Sequence, residues 1–424
     1  MYEWERRVPL VPDDVQRLTA AGHAFLVQAS EKRAFTDDEY RAAGCTVVES
    51  LTEAPLVIGL KEIPIDVLEA GSVYVFFSHT VKGQSANMPM LQRALDLRTT
   101  IIDYERIVDE DGRRLIFFGN YAGFAGAIDT LWTLGRRLAW EEIENPFNDL
   151  KQASGYASLD EAKTAVRAVG DRIRSEGVPS AVSPLVIGVA GYGNVSKGAQ
   201  EILDLLPTVE VSPADLLSSG ELDAGAPVVK VVFKEEDTAL RLDADAPFAL
   251  QEYYDHPERY RAAFERYLPK LHVLVNCIYW EPRYPRLVTK GALRSLYAAG
   301  QPALRVIGDI TCDVEGSIES TVRATEPDDP VYVYLPGEDR AVSGIEGHGP
   351  AVMAVEILPS ELPREASTYF SRILKKFVPA IAAADYSVDF DALHLPPELK
   401  RAVIAHRGGL APDYRHLEKH LTSV

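Results

Sequence analysis

Leu185-Val-Ile-Gly-Val-Ala190, running straight into Gly191-Tyr-Gly193-Asn-Val-Ser196, is the stretch on which the fold turns. Six consecutive apolar or small residues read as a strand buried on both faces, and the glycines mark an abrupt stop. Gly191-x-Gly193-x-x-Ser196 then opens a helical pattern. Strand, glycine turn and helix in that order are the context of a dinucleotide-binding (Rossmann) turn: the first glycine allows the bend and the second lets backbone approach a pyrophosphate. The third position holds Ser196, so the packing of helix on strand there must accept a hydroxyl. Gly191, Gly193, Asn194, Val195 and Ser196 are therefore candidate cofactor contacts.

In such a unit the end of the next strand chooses between NAD and NADP. Glu210 lies 19 residues beyond Gly191 and Ser212 lies 21 beyond it. A strand ending at Ser212 offers no carboxylate to repel a 2′-phosphate and favours NADPH; Glu210 facing the ribose would favour NADH. The spacing leans toward NADP(H) through Ser212, with NAD(H) as the alternative.

Working toward the N-terminus, two further strand-like runs each end in a titratable group. Leu56-Val-Ile-Gly59 precedes Lys61-Glu62, and Val73-Tyr-Val-Phe-Phe77 precedes Ser78-His79. α/β folds place ligands where strands stop. Taken singly, Lys61 reads as a solvated lysine and His79 as a loop histidine; together on adjacent strands they read as a proton-transfer pair. Burial and mutual repulsion are expected to lower the pKa of both. Glu62, next to Lys61, is expected on the opposite face of its strand in a structural role.

The first ~135 residues alternate strands and helices, as an α/β domain does. Val11-Pro12-Asp13-Asp14 opens a helix, with Pro12 and the acids suited to its first turn. Ala24–Gln28, Thr100–Asp103 and Leu115–Phe118 read as strands, with a hairpin around Asp109–Gly112. Gly119-Asn-Tyr-Ala-Gly123-Phe-Ala-Gly126 begins a helix expected to carry the chain from one domain to the next. Its small residues suit close helix packing, and the spacing for a phosphate loop is absent. The polar stretch 145–182, closed by Gly177-Val-Pro179 and Ser183-Pro184, reads as a boundary. Strands follow at Val228–Phe233, Val273–Asn276 and Leu304–Asp309, then a helix over 364–384.

Bulk properties narrow the function. At 424 residues two domains are expected. A net charge of −19 argues against a nucleic-acid surface. No segment approaches a membrane span, and the start lacks a secretory pattern, so a cytoplasmic protein is expected. Cys45, Cys277 and Cys312 lie far apart, which suits reduced thiols better than a disulfide framework or a zinc site. No metal is expected.

Several blocks together resemble the lysine–ketoglutarate reductase family, the lysine-forming saccharopine dehydrogenases, which are related to alanine dehydrogenase and the transhydrogenase nucleotide domain. They are Trp4–Leu10, Phe76–Met88, Asp103-Tyr-Glu105, Gly123–Gly126, Gly193–Gln200, Tyr254–Tyr260, Asn276–Glu281, Gly308–Asp313, Gly316–Glu319 and Leu362–Ser367. The Tyr254–Tyr260 and Ile278-Tyr-Trp280 blocks look like the reductase half of the animal and plant bifunctional enzyme.

The resemblance implies an α/β protein of two Rossmann-like domains with an interdomain active-site cleft. Residues 1–138 plus 345–424 would form the substrate domain and 139–344 the dinucleotide domain. It implies Lys61 and His79 as the acid/base pair, and Arg7, Lys82, Glu105 and Arg114 as substrate-binding groups, the arginines for carboxylates and Glu105 for an α-ammonium. Asn276 and Asp309 would join Ser212 on the cofactor. The implied reaction is NADPH-dependent reductive condensation of L-lysine with 2-oxoglutarate to saccharopine. The chain stops at Val424 where bifunctional members continue, so a monofunctional reductase is expected. The alternatives are an opine-type reductase joining another amine and 2-keto acid, or an alanine-dehydrogenase-like enzyme. Partners would be small molecules, without nucleic acid or membrane; a homo-oligomer is compatible.

Overall fold

Apolar strands that alternate with helices form two large sheets, of eight and five strands, beside two two-stranded pairs, and the order of the strands decides which side chains meet. The computed structural model of the chain describes residues 3–52, 54–218, 225–243 and 246–421. By contact the chain divides into two compact units, Met1–Phe118 with Pro363–Val424, and Gly119–Leu362.

The first unit opens with α1 (Pro12–Ala20), which starts on its proline and buries Val15 and Leu18. β1 (Leu26–Gln28) and β2 (Thr46–Val48) pair in parallel around α2 (Asp37–Ala42), whose start is fixed by a Thr36–Glu39 capping box. β3 (Leu56–Ile58), β4 (Val73–Phe76) and β5 (Thr100–Asp103) then run parallel, with α3 (Met88–Asp96) crossing between the last two. Every residue of β4 and β5 is buried, the pattern of parallel strands covered on both faces.

Leu115–Phe118, expected as a strand, is not one: Leu115 N–H bonds back to the Ile107 carbonyl, after a single bridge between Val108 and Arg114. The run is apolar because it packs. Ile116 is buried, and the Phe118 ring stacks on Phe370 at 4.6 Å.

The second unit begins with α4 (Gly119–Trp140). Stretch 145–182 is not a linker, since α5 (Leu159–Glu176) places Ala162, Val166, Val169 and Ile173 in this unit's core. β6 (Leu185–Ala190) leads through Gly191 to α6 (Asn194–Leu203), followed by β7 (Thr208–Glu210) and β8 (Val228–Phe233). β9 (Ala239–Arg241) and β10 (Tyr260–Ala262) pair antiparallel. The large sheet is completed by β11 (Val273–Asn276), β12 (Val306–Asp309), β13 (Val331–Leu335), β14 (Arg340–Ser343) and β15 (Ala351–Met353). Its strand order is β14-β13-β15-β12-β11-β6-β8-β7, parallel except for β13, which runs against both its neighbours.

The chain then rejoins the first unit. The helix expected over 364–384 is two, Pro363–Leu374 and Val378–Ala383. Pro379 explains the break, because within a continuous helix its ring would collide with the Lys375 carbonyl. β16 (Val403–His406) lies antiparallel to β5, and β17 (Gly409–Leu410) pairs with β16.

The units therefore change over at 118/119 and 362/363, outside the expected 138/139 and 344/345. α4 accounts for the first difference. Its glycines press against α6: a Cβ on Gly123 would stand 2.0 Å from the Val195 carbonyl oxygen, and one on Gly198 would stand 2.2 Å from that of Asn120. Close packing, and not a phosphate loop, is what the glycine-rich start of α4 provides. Among the described residues no helix is long and apolar enough to cross a membrane, and no group of His, Cys, Asp and Glu is placed to hold a metal.

Candidate active site

Because β3, β4 and β5 are parallel, their C-terminal ends share one edge. The ladder continues past the strands, with Phe77 N–H donating to the Leu60 carbonyl at 3.0 Å, and so brings the two following turns together. Lys61, Glu62, His79 and Glu105 all emerge there.

His79 Nδ1 pairs with Glu62 Oε1. Glu62 is thus no structural residue on an opposite face: β3 ends at Ile58, so strand alternation no longer governs position 62. The Glu62 hydrogen bond is also the largest influence on His79 and holds its pKa above the ordinary value, against burial and the Lys61 charge; Glu105 adds to the rise. The expected depression of His79 is therefore reversed. Burial would raise the Glu62 pKa, but the bond and charge of His79, a backbone hydrogen bond and the Lys61 charge bring it below the ordinary value.

His79 is held in an unusual backbone state, with φ of 47°. Side chains that bend on left-handed backbone are costly and persist where their surroundings over-determine them. Here Asp103 does so. Its buried carboxylate accepts from Ser78 N–H at 3.1 Å, from the Ser78 hydroxyl, and from Glu105 N–H at 2.7 Å. The Ser78 and Thr80 hydroxyls lie 2.7 Å apart, and Asn87 Nδ2 donates to the His79 carbonyl at 3.2 Å. Burial drives Asp103 up to about 6 despite these bonds. The His79 ring lies parallel to Phe77, 6.2 Å away.

The remaining expected substrate groups fall in the same unit. Arg114 Nη2 donates to Glu105 Oε1 at 3.0 Å. Arg7 is buried over the Phe118 ring at 4.2 Å, with its fork closed on Glu5 through bonds of 2.8 and 2.6 Å. Lys82 is exposed, and its N–H donates to Gln84 Oε1 at 3.1 Å.

In the second unit the glycine turn behaves as its motif requires. Gly191 has φ of +97°, and its N–H donates to the Phe233 carbonyl at 2.9 Å. Gly193 caps α6 without a side-chain cap, and a Cβ added there would meet nothing within 4 Å. That open cradle before the uncapped N–H groups of α6 fits a dinucleotide pyrophosphate. Asn194, Val195 and Ser196 form the first turn; the buried Ser196 hydroxyl accepts from Gln200 Nε2 at 2.9 Å, which answers the cost of a hydroxyl at the third position.

Ser212 is misplaced as a ribose reader. β7 is the edge strand and β8 lies between it and β6, with Ala190 opposite Phe233. Ser212 instead accepts from Asp215 N–H at 3.1 Å, capping a short helix. The strand end beside the loop belongs to β8 and is followed by Lys234 and Glu235. Asn276 and Asp309 end β11 and β12 with their side chains buried in one network. Asn276 Nδ2 reaches Asp309, Thr311 and Ser317 at 2.8, 2.8 and 2.9 Å, and Asp309 also accepts from Thr321. These two side chains secure the strand ends and are not presented at the surface.

The sequence reading missed Glu62 as a partner of His79 and Asp103 as the anchor of the His79 turn. A carboxylate closing the apolar run Thr100–Asp103 was a signal for the second.

Residues 1–125 match the alanine dehydrogenase/PNT N-terminal domain. The chain is 39% identical to alpha-aminoadipic semialdehyde synthase of Arabidopsis thaliana, aligned over 98% of this chain and 40% of that protein. It is 35% identical to the mitochondrial enzyme of that name from Mus musculus, over 98% and 46%. The chain therefore spans less than half the length of these relatives. A Neurospora crassa saccharopine dehydrogenase [NAD(+), L-lysine-forming] is 29% identical over 87% of this chain and 86% of its own. Among solved structures, an L-alanine dehydrogenase matches with a TM-score of 0.63 at 17% identity, covering 100% of this chain and 98% of that one. A transhydrogenase from Sinorhizobium meliloti matches at 0.58 and 14%, covering 97% and 98%. The chain has the Rossmann-type α/β fold of alanine dehydrogenase, and its homologues carry the names alpha-aminoadipic semialdehyde synthase and saccharopine dehydrogenase.

Proposed function

We propose that the chain is a nicotinamide-dinucleotide oxidoreductase that joins the ε-amine of L-lysine to the keto carbon of 2-oxoglutarate and yields saccharopine. The observation that carries this reading is the Glu62–His79 pair beside Lys61 and Glu105 on one strand edge, in a chain whose homologues bear those names.

The condensation makes two proton demands. The amine must lose a proton to attack the keto carbon, and the carbinolamine hydroxyl must gain one to leave as water. Glu62 holds Nδ1 of His79, so the other ring nitrogen is the one through which His79 exchanges a proton with substrate. The Glu62 bond that raises its pKa favours the protonated form of His79, the form suited to expelling water. Lys61 adds a positive charge beside the same site, where it stabilises negative charge on the keto oxygen. A bound reduced nicotinamide supplies the hydride that converts the resulting imine to a secondary amine.

An amino acid's α-end presents one ammonium and one carboxylate. Glu105 and Arg114, paired at 3.0 Å, offer the complementary charges, so binding would exchange their mutual contact for two substrate contacts. Arg7 would take a keto-acid carboxylate by exchange with Glu5.

NADPH is what the family resemblance implies, but Ser212 no longer supports that choice. Initial rates of NADH and NADPH oxidation, with 2-oxoglutarate or pyruvate and a panel of lysine, ornithine, alanine and ammonia, test the reading. Lysine should give the highest kcat/KM, with saccharopine as product by mass. Turnover of ammonia with pyruvate, and none of lysine, would make the enzyme alanine-dehydrogenase-like instead.

A further inference from the structure

The turn that follows β4 is gripped at both ends. Thr80, Val81, Lys82 and Gly83 form a β-turn closed by Gly83 N–H on the Thr80 carbonyl at 2.8 Å, which puts Lys82 near its tip. Asp103 and Asn87 hold what precedes it, through bonds that fall on Ser78 and His79.

The Lys82 end meets a 3₁₀ helix, Pro412–His420, of the same unit. Side chains three apart share one face of such a helix. Tyr414 and Leu417 are buried on that face, in the core that also takes Phe76 and Met88, and His420 comes next along it. Its ring lies on Gly83, where a Cβ would stand 2.6 Å from both Nε2 and Cδ2 of His420. Gly83 also has φ of +69°, so backbone and packing both call for glycine. His416 adds a bond, its Nε2–H donating to the Val81 carbonyl at 3.1 Å. One short segment therefore holds the residues on either side of Lys82. The same segment reaches the turn after β5, where Arg106 Nε donates to the Tyr414 hydroxyl at 3.0 Å.

We propose that His416 and His420 are positioning residues for substrate, acting through Lys82, whose ammonium they aim at a substrate carboxylate. The inference deepens the reading of this strand edge as a substrate site and rests on it, but not on lysine as the amine. The two grips divide the work. Asp103 steadies the acid–base end of the turn and the 3₁₀ helix steadies its binding end. Losing the second grip loosens Lys82 while His79 stays anchored, so it weakens substrate binding and spares the chemistry. The lysine stem is flexible, which keeps the loss smaller than that of Lys82 itself.

The test is steady-state kinetics of the full chain, varying in turn the amine and keto acid that the panel above shows to be turned over. Wild type is compared with His416→Ala/His420→Ala, with Lys82→Met and with the three changes combined. Both histidines are exposed, so the buried Tyr414 and Leu417 should keep the segment docked, and a thermal scan checks it. The histidine pair should raise one substrate's KM about fivefold, and Lys82→Met should raise the KM of that same substrate about tenfold or more. Turnover and dinucleotide affinity should stay within about twofold in the histidine variant. Added to Lys82→Met, the histidine changes should cost less than about a further twofold, because they act through a group already gone. His416→Gln keeps an N–H donor and should stay near wild type where His416→Ala does not; that single pair carries the test if the double variant does not fold. An unmoved KM in folded variants, losses that multiply with Lys82→Met, or a fall in kcat alone overturns the assignment while leaving the substrate site standing. Turnover of no amine and keto-acid pair by wild type overturns the substrate-site reading and the inference with it.

Discussion

Replacing Gly198 by alanine probes the contact on which the dinucleotide turn rests. The new Cβ would lie 2.2 Å from the Asn120 carbonyl oxygen, 3.0 Å from its carbonyl carbon and 3.1 Å from its Cα. An unforced carbon–oxygen contact is about 3.3 Å, so α4 and α6 must part by roughly 1 Å. Both sides are backbone, and no side-chain rotation can absorb the clash. The rest of the interface separates with it, including buried Ala199 and Ile202 on α6 and Ala125 and Ile128 on α4. Overpacking of this kind costs about 1–3 kcal/mol, and a backbone collision belongs at the upper end. At roughly 2–4 °C per kcal/mol for a unit of this size, the thermal midpoint of Gly198→Ala should fall by about 6–12 °C. Because α6 begins at the glycine turn, NADH binding should weaken too. Gly193→Ala makes the contrast: its Cβ meets nothing, so the midpoint should stay within about 0.5 kcal/mol of wild type. Its methyl group would occupy the pyrophosphate cradle, so affinity should drop about tenfold or more. Scanning calorimetry with dinucleotide titration reads both. An unchanged midpoint in Gly198→Ala would refute the backbone-on-backbone packing.

Three further outcomes concern the first unit. His79→Ala and Lys61→Met should each lower turnover about 10²-fold with dinucleotide affinity unchanged, and the double variant should lose less than the product of the two; equal turnover in wild type and His79→Ala would leave His79 an ordinary loop histidine. Glu62→Gln removes the charge that raises the His79 pKa, so the limb of the pH–rate profile belonging to His79 should move to lower pH; an unmoved limb would detach it from His79. Asp103 titrates at about 6 in the folded chain against an ordinary 3.8, so the folded state keeps a proton that the unfolded chain releases. Its effect on stability is nil well below pH 4 and becomes a penalty of about 3 kcal/mol as pH rises through 6. Urea denaturation of wild type and Asp103→Asn at pH 4.5 and 8 should show the variant losing less stability on going up, and parallel losses would contradict the burial argument.

The strands, the glycine turn and the helix-packing role of Gly119–Gly126 were legible because each is written in a local pattern. Continuous apolar runs, a glycine spacing and small residues along one stretch need no distant partner to be read. What escaped depends on where strands lie beside one another. Sequence order suggested that the strand after β6 is also its neighbour, and from that came Ser212. Yet the two rivals differ in composition. Val228-Val-Lys-Val-Val-Phe233 is apolar but for Lys230, which buries its stem and ends on Asp204 at 2.6 Å, whereas Val209 and Glu210 of β7 are exposed. An inner parallel strand must be apolar on both faces, and an edge strand need not be. Weighing that contrast would have put β8 next to β6.

Glu62 escaped for a different reason. Alternation of faces was carried past Ile58, where the strand ends, into a turn whose course is set by contacts with the next strand. The two errors share a cause: a strand's period and its place in the sheet hold only within the strand, while ligands are met just beyond it. That is also where the residues of interest gather in this chain. Lys61, Glu62, His79 and Glu105 follow β3, β4 and β5, and Gly191 and Gly193 follow β6. A parallel sheet buries its strands and so leaves its polar chemistry to the turns at their C-terminal ends. The Asp103 anchor shows what fixing such a turn requires: a carboxylate carried at the last position of a buried strand, held against the cost of burial because it bonds to the turn after the neighbouring strand and to the turn that follows its own.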